Sequence, residues 1–188
     1  MTPAQGDGLP GPLVAVLAGS ASDAPVVAKV TTTLDQLAIP YEVTVASAHR
    51  TPDTVAQFAR TAHERGIAVI IALAGGSAHL AGVIAAYTHL PVIGVPVKAW
   101  ATDGLDALLA TVQMPSGVPV ATVAIDGGAN AAFLAARILA LRYPELVPRL
   151  AAHREQMAAQ VAAAGDELRR RLAGAGSPQE TAGSGESP

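Results

Sequence analysis

The chain has 188 residues, of which 51% are hydrophobic but only 3% aromatic, with a formal net charge of −3 and no cysteine. That length suits one domain with a sizeable core of Ala, Val, Leu and Ile, while the near-neutral balance, with no basic block before the C-terminal segment, gives no electrostatic footprint for nucleic acid. The absence of cysteine excludes disulfides, thiolate nucleophiles and cysteine-based zinc or iron–sulfur sites.

Residues 1–12, with three Pro and three Gly, read as a disordered leader. They hold no positive n-region and no apolar h-region, and the chain has no uninterrupted apolar run of about 18 residues, so neither a signal peptide nor a membrane span is expected. A cytoplasmic location is the simplest reading. Leu13-Val14-Ala15-Val16-Leu17-Ala18 is an apolar run of strand length and gives a first strand. A helix is predicted over about 23–38, a second strand over 41–46, and a second helix over about 52–65 that Gly66 closes at its C′ position. Residues 68–73 are apolar throughout, which fits a central strand covered on both faces. A short helix to about Thr88, a fourth strand over 91–95 and a fifth over 118–125 follow. Strands alternating with helices imply βαβ crossovers, and so a flavodoxin-like three-layer αβα sandwich with a parallel sheet.

Beyond Tyr143-Pro144 a long helix is predicted over about 145–172. Leu146, Leu150, Met157, Val161, Leu168 and Leu172 fall near one stripe of it. The sheet is already covered on both faces, so packing of this stripe on a neighbouring subunit is preferred to packing on its own. Residues 174–188, rich in Gly, Ser, Pro and Glu, read as a disordered tail. The expected organisation is a leader (1–12), an α/β domain (13–143), a C-terminal intersubunit helix (144–173) and a tail (174–188).

In a parallel sheet the C-terminal strand ends share one edge, where ligands bind, and three of these ends carry unusual residues. Gly19-Ser20-Ala21-Ser22-Asp23 offers small residues, hydroxyls and backbone N–H groups at a helix start, which suit a phosphate; the plainer reading is that Ser22 or Asp23 caps the helix. Ser47-Ala48-His49-Arg50-Thr51-Pro52 follows the second strand. Arg50 is one of five Lys or Arg residues before Arg137, the others being Lys29, Arg60, Arg65 and Lys98, and its guanidinium fork matches a phosphate. His49 beside it is the best proton-transfer candidate, although a histidine satisfied by backbone hydrogen bonds is the alternative, and Thr51-Pro52-Asp53 reads as helix initiation. The third turn, Ala74-Gly75-Gly76-Ser77-Ala78-His79-Leu80-Ala81-Gly82, has paired glycines that permit close ligand approach or serve the turn alone. No HExxH, Walker A loop or GxSxG elbow is present, so metal, ATP and serine-hydrolase readings lose support.

These motifs, with Leu90-Pro91-Val92-Ile93-Gly94-Val95-Pro96-Val97, Gly104-Leu105-Asp106 and Val112-Gln113-Met114-Pro115, occur together and in order, and over about residues 13–142 the chain resembles the PurE family, the N5-carboxyaminoimidazole ribonucleotide mutases of purine biosynthesis. The resemblance implies transfer of a carboxyl group from an exocyclic nitrogen to the adjacent ring carbon, through released CO2, without metal, biotin, ATP or other cofactor. It implies that His49 shuttles the proton, that Ser20, Ser22, Ser47 and Arg50 hold the phosphate, that Asp23 holds the ribose hydroxyls, and that the Gly75-Gly76 loop with His79 holds the carboxylate or CO2. Ala48, Ser77 and Leu80 complete the expected substrate-binding set. It implies further a homo-octamer with active sites near subunit interfaces, acting on a small nucleotide, and a loop of the mutase type rather than that of the related class that carboxylates the unmodified nucleotide with CO2.

The chain departs from the family pattern at the site. Ser77 stands where the family usually has Ala, Ala81 where it has Pro, Lys98-Ala99-Trp100 replaces a smaller and more polar segment, and the 126–130 loop is about two residues shorter. Losing the fixed φ of Pro loosens a loop by about 0.4–1 kcal/mol of unfolded-state entropy. Two alternatives therefore stay open: a PurE-like paralogue acting on a different heterocyclic mononucleotide, and a non-catalytic nucleotide-binding module.

Overall fold

A computed structural model describes residues 9–175, so most of the expected leader and nearly all of the expected tail lie outside the described residues. The strands are β1 (Val14–Ala18), β2 (Tyr41–Val45), β3 (Val69–Gly75), β4 (Val92–Val97) and β5 (Ala121–Thr122). All pair in parallel, in the order β2-β1-β3-β4-β5. That is the doubly wound, flavodoxin-like order, whose switch point lies where β1 meets β3.

The apolar runs explain the layers. Along β1 every residue is buried, and alternate side chains go to opposite faces. Val14 and Val16 join Ile71, Leu73, Ile93 and Val95 in a core under α1 (Ala24–Gln36), α5 (Gly128–Leu139) and the start of α6 (Leu146–Ala175). Ala15 and Leu17 join Ile70 and Ala72 on the other face, under α2 (Pro52–Thr61) and α3 (Leu80–Tyr87). Each large side chain fully removed from water there contributes about 1.5–3 kcal/mol. A further helix, α4 (Leu105–Val112), covers β4 on the α3 side, where Thr111 and Ala81 both reach Gly94.

The many alanines let helices approach closely. At the first residue of α5, a Cβ on Gly128 would lie 2.6 Å from the Val26 carbonyl oxygen of α1, a backbone atom that cannot swing away. Gly128→Ala is expected to destabilise the fold by about 1–3 kcal/mol, read as a Tm lower by roughly 2–12 °C in a thermal melt.

Some expected elements differ in extent. The fifth strand shrinks from 118–125 to Ala121–Thr122, because it is an edge strand following Pro119, which has no N–H to give a ladder. The predicted 52–65 helix is an α-helix only to Thr61 and tightens into a 3-10 turn at His63–Arg65, closed by Gly66 at φ +88°. Helix α4, unassigned in the sequence reading, lies in a stretch that is apolar nearly all round. In α6, Leu146 is buried and Leu150 packs on the core, and Arg149 donates to the Leu37 and Ala38 carbonyls at 2.7 and 3.1 Å. From Ala151 onward the helix belongs to a second compact unit, in which Met157, Val161, Leu168 and Leu172 are exposed. No helix among the described residues is long and apolar enough to cross a membrane.

Candidate active site

The C-terminal ends of β1, β2, β3 and β4 surround a cavity of about 470 Å³. After β1 the chain makes a 3-10 turn over Ala21–Asp23, capped reciprocally: the Ser20 hydroxyl accepts the Ser22 N–H at 3.3 Å, and the Asp23 carboxylate accepts the Ser20 N–H at 3.1 Å. The Ser22 hydroxyl stands 2.9 Å from Ser20 Oγ and 3.4 Å from Asp23 Oδ1. Asp23 therefore braces the turn before it and makes no side-chain cap on α1.

Asp23 is only 6% exposed, and burial raises its carboxyl above the ordinary carboxylate range against the opposing pull of the Ser20 and Ser22 hydrogen bonds. A raised acid binds its proton more tightly folded than unfolded, so its contribution to stability falls as pH rises through the window just above the ordinary value. At neutral pH the buried charge is a cost to folding, a pattern found where function needs the group. Asp23→Asn keeps an acceptor for the Ser20 N–H. It is expected to leave Tm unchanged or raise it by up to about 4 °C at pH 7. Melts at pH 7 and near pH 4 check this; the gain in Tm should vanish at the acid end.

After β2, Thr51 shapes the turn. Its hydroxyl accepts the Ser47 N–H at 2.9 Å and donates to the Ser47 carbonyl at 3.1 Å. Ser47 Oγ accepts from both the backbone N–H and Nε of Arg50 at 3.3 Å, and Arg50 Nη2 donates to the Gly19 carbonyl at 3.1 Å. The guanidinium is thus fastened across the ends of β1 and β2, and its Nη1 has no protein partner among the described residues.

After β3, Gly76 takes φ +61° and the chain enters α3 with His79 at the capping position, its ring making no cap. That ring meets His49 instead: His49 Nε2 lies 2.8 Å from His79 Nδ1, with ring centroids 4.9 Å apart and planes at 76°. One nitrogen of this contact must carry the hydrogen and the other the lone pair. Nδ1 of His49 and Nε2 of His79 have no protein partner among the described residues, and both rings are exposed to the cavity.

Ser20, Ser22, Asp23, Ser47, Ala48, His49, Arg50, Gly75, Ser77, His79 and Leu80 all line the cavity. Gly76 does not: it is buried beside Trp100, whose benzo-ring atoms would lie 2.3–3.0 Å from any Cβ placed there. The expectation that Ala81 belongs to a loosened loop facing the pocket is also corrected. Ala81 is 2% exposed in the first turn of α3, packed toward Gly94, because α3 already starts at Leu80. Ala74 and Ala78 of the third turn line the cavity as well, and so do Ala99 and Trp100, which the sequence marked only as a departure at the site. For Trp100 the signal was available: it is the only tryptophan, and it follows a strand whose end lies on the same edge. Among the described residues no group of three or more His, Asp or Glu is placed to hold a metal ion.

Fold and cavity together define a flavodoxin-like α/β protein that gathers an arginine, serine hydroxyls and an imidazole pair at the switch point of its sheet. The family model for AIR carboxylase matches residues 13–160, and the chain belongs to that family. It is 55% identical over 150 residues to the N5-carboxyaminoimidazole ribonucleotide mutase of Pyrococcus horikoshii, covering 80% of this chain and 85% of the relative. Against the protein of the same name from Mycobacterium tuberculosis (strain H37Rv) it is 55% identical over 163 residues, covering 87% and 93%. Among solved structures it is similar to Treponema denticola PurE, with a TM-score of 0.76 and 30% identity over 84% of this chain and 98% of that one.

Proposed function

We infer that this chain is an N5-carboxyaminoimidazole ribonucleotide mutase of purine biosynthesis, an isomerase that moves a carboxyl group from the exocyclic nitrogen of the aminoimidazole nucleotide to the neighbouring ring carbon. What supports the reading most within the molecule is the imidazole pair: His49, on the turn that carries Arg50, hydrogen-bonded at 2.8 Å to His79 on the glycine turn of the same cavity.

The reaction needs one proton given and one taken back. As the bond from the exocyclic nitrogen to the carboxyl carbon breaks, its electron pair stays on nitrogen, which takes a proton, and CO2 leaves. The electron-rich ring carbon then attacks CO2, a carbon–carbon bond forms, and that ring carbon sheds its hydrogen as a proton. A single acid–base group closes the cycle, and we assign that role to His49, with His79 orienting its ring through the shared hydrogen bond. Arg50 Nη1 with the Ser20, Ser22 and Ser47 hydroxyls takes the phosphate, and Asp23 takes the ribose hydroxyls. Ala48, Gly75, Ser77, His79 and Leu80 receive the end that carries the carboxyl group.

The experiment is incubation of the purified chain with N5-carboxyaminoimidazole ribonucleotide and no other substrate, with chromatographic detection of the carbon-carboxylated isomer. Isomer formation is expected. Weak binding of this nucleotide beside tight binding of another phosphorylated heterocycle would point to a paralogue, and binding without turnover to a nucleotide-binding module.

The same reading takes the chain as a cytoplasmic homo-octamer with active sites near subunit contacts and α6 as a contact element. Its support is the exposed apolar stripe of Met157, Val161, Leu168 and Leu172, a face that a second chain would remove from water.

A further inference from the structure

Trp100 is 81% exposed and adopts φ +56°, a backbone region that costs a bulky residue free energy and persists only where the surroundings enforce it. The segment is pinned on both sides of it. The Lys98 N–H donates to Asp126 at 2.9 Å, and the Lys98 ammonium pairs with Asp103 at 2.8 Å. The outer edge of the benzo ring occupies the space a Cβ on Gly76 would need, so a side chain at Gly76 and the indole at 100 exclude each other. Trp100, with Ser22 and Ala99, lines two hollows: the cavity of about 470 Å³ and a depression of about 370 Å³ also lined by Pro25, Val26, Lys98 and Asp126.

The wall at this end of the cavity is chemically distinct. Ala74, Ala78, Leu80, Ala99 and Trp100 give it an apolar lining that only Ser77 and His79 interrupt, whereas Ser20, Ser22, Asp23, Ser47 and Arg50 stand after β1 and β2. Of the species in the proposed reaction, released CO2 is neutral and nonpolar and suits the apolar wall. Its escape before the ring carbon attacks would turn the isomerisation into a net decarboxylation.

We propose that Trp100 is a positioning residue that closes the apolar end of the cavity through its contact with Gly76 and retains CO2 between bond breaking and bond making. The proposal rests on the mutase reading above. Truncating the indole would open the wall that both hollows share and give CO2 an exit; enclosure of this kind guards reactive intermediates against side reactions.

The test compares wild type, Trp100→Ala and Trp100→Phe for the partition of N5-carboxyaminoimidazole ribonucleotide between carbon-carboxylated isomer and decarboxylated nucleotide, after subtraction of uncatalysed loss, with labelled bicarbonate present to report exchange. The alanine variant is expected to raise the decarboxylated fraction and the incorporation of label several-fold, and the phenylalanine variant, which keeps a ring against Gly76, to restore most of the retention. A purely structural defect lowers total rate without moving the partition, so an unchanged partition in the alanine variant overturns the proposal. Trp100 is also the only tryptophan, so decarboxylated nucleotide with bicarbonate should change the intrinsic emission of wild type, and no change on saturation would contradict its place on the pocket wall. A wild-type chain that forms no isomer overturns the mutase reading, and this inference with it; normal isomer formation with unchanged partition overturns this inference alone.

Discussion

Replacing His49 with asparagine is expected to lower kcat for the isomerisation by about 10²–10⁴-fold, the usual worth of a positioned general acid–base, while the nucleotide still binds. Asparagine keeps a polar group of similar reach that can hydrogen-bond to His79 but cannot gain and lose a proton in the working pH range. The ring of His49 has one nitrogen engaged by His79 at 2.8 Å and the other without a protein partner among the described residues, so the substitution removes the proposed proton carrier while leaving the Ser47–Arg50 bonds in place. Steady-state rates with direct titration of the product nucleotide separate the two effects. A variant that turns over at the wild-type rate sinks the acid–base role, and one that loses binding in the same proportion makes His49 a ligand rather than a catalyst.

The second large effect belongs to Arg50. Arg50→Met is expected to raise KM by about 10–100-fold, the scale of a lost hydrogen bond to a charged group, with a much smaller change in kcat. The phosphate does not react, so a contact to it stabilises ground and transition states alike. The ligand can be cut as well as the protein. Wild type should bind nucleotide far more tightly than the corresponding nucleoside, and in the methionine variant that difference should collapse, because the group proposed to read the phosphate is gone. An undiminished preference for the nucleotide would place phosphate recognition elsewhere, leaving Arg50 as a brace between Ser47 and Gly19. Lysine is a poor substitute, since one ammonium nitrogen cannot span Ser47 Oγ, the Gly19 carbonyl and a phosphate as the guanidinium fork does.

Most of the architecture was legible in the sequence because its signals are local. Buried parallel strands read as short apolar runs, as at 14–18 and 69–73, and each stops at polar or glycine residues where the chain leaves the sheet. What escaped depended on partners distant in sequence. The length of β5 is set by edge pairing with Ile93 and Gly94 rather than by its own apolar content. The His49–His79 contact joins residues thirty apart, which no periodicity encodes. Ala81, expected in a loosened loop facing the pocket because it replaces a proline, is carried into the core by the first turn of helix. Trp100 was noticed as a departure from the family pattern, yet its seat on Gly76 follows only from how β3 and β4 pair, with Gly75 beside Val97.

Asp23 shows the same division of labour between sequence and structure. Its position in the first turn marked it for a ligand or a cap, and burial decided that it braces Ser20 at a cost in stability near neutral pH.

Mutase activity requires that one cavity break the nitrogen–carboxyl bond and form a carbon–carbon bond to the same carboxyl group. Supplying the chain with N5-carboxyaminoimidazole ribonucleotide that carries ¹³C in its carboxyl group, and following the label by NMR, tests this. The label is predicted to pass to a carboxylate bonded to the ring carbon, at a rate that the His49→Asn substitution lowers by about 10²–10⁴-fold. Label that stays on nitrogen, or that appears only as free bicarbonate at the uncatalysed rate, would contradict it.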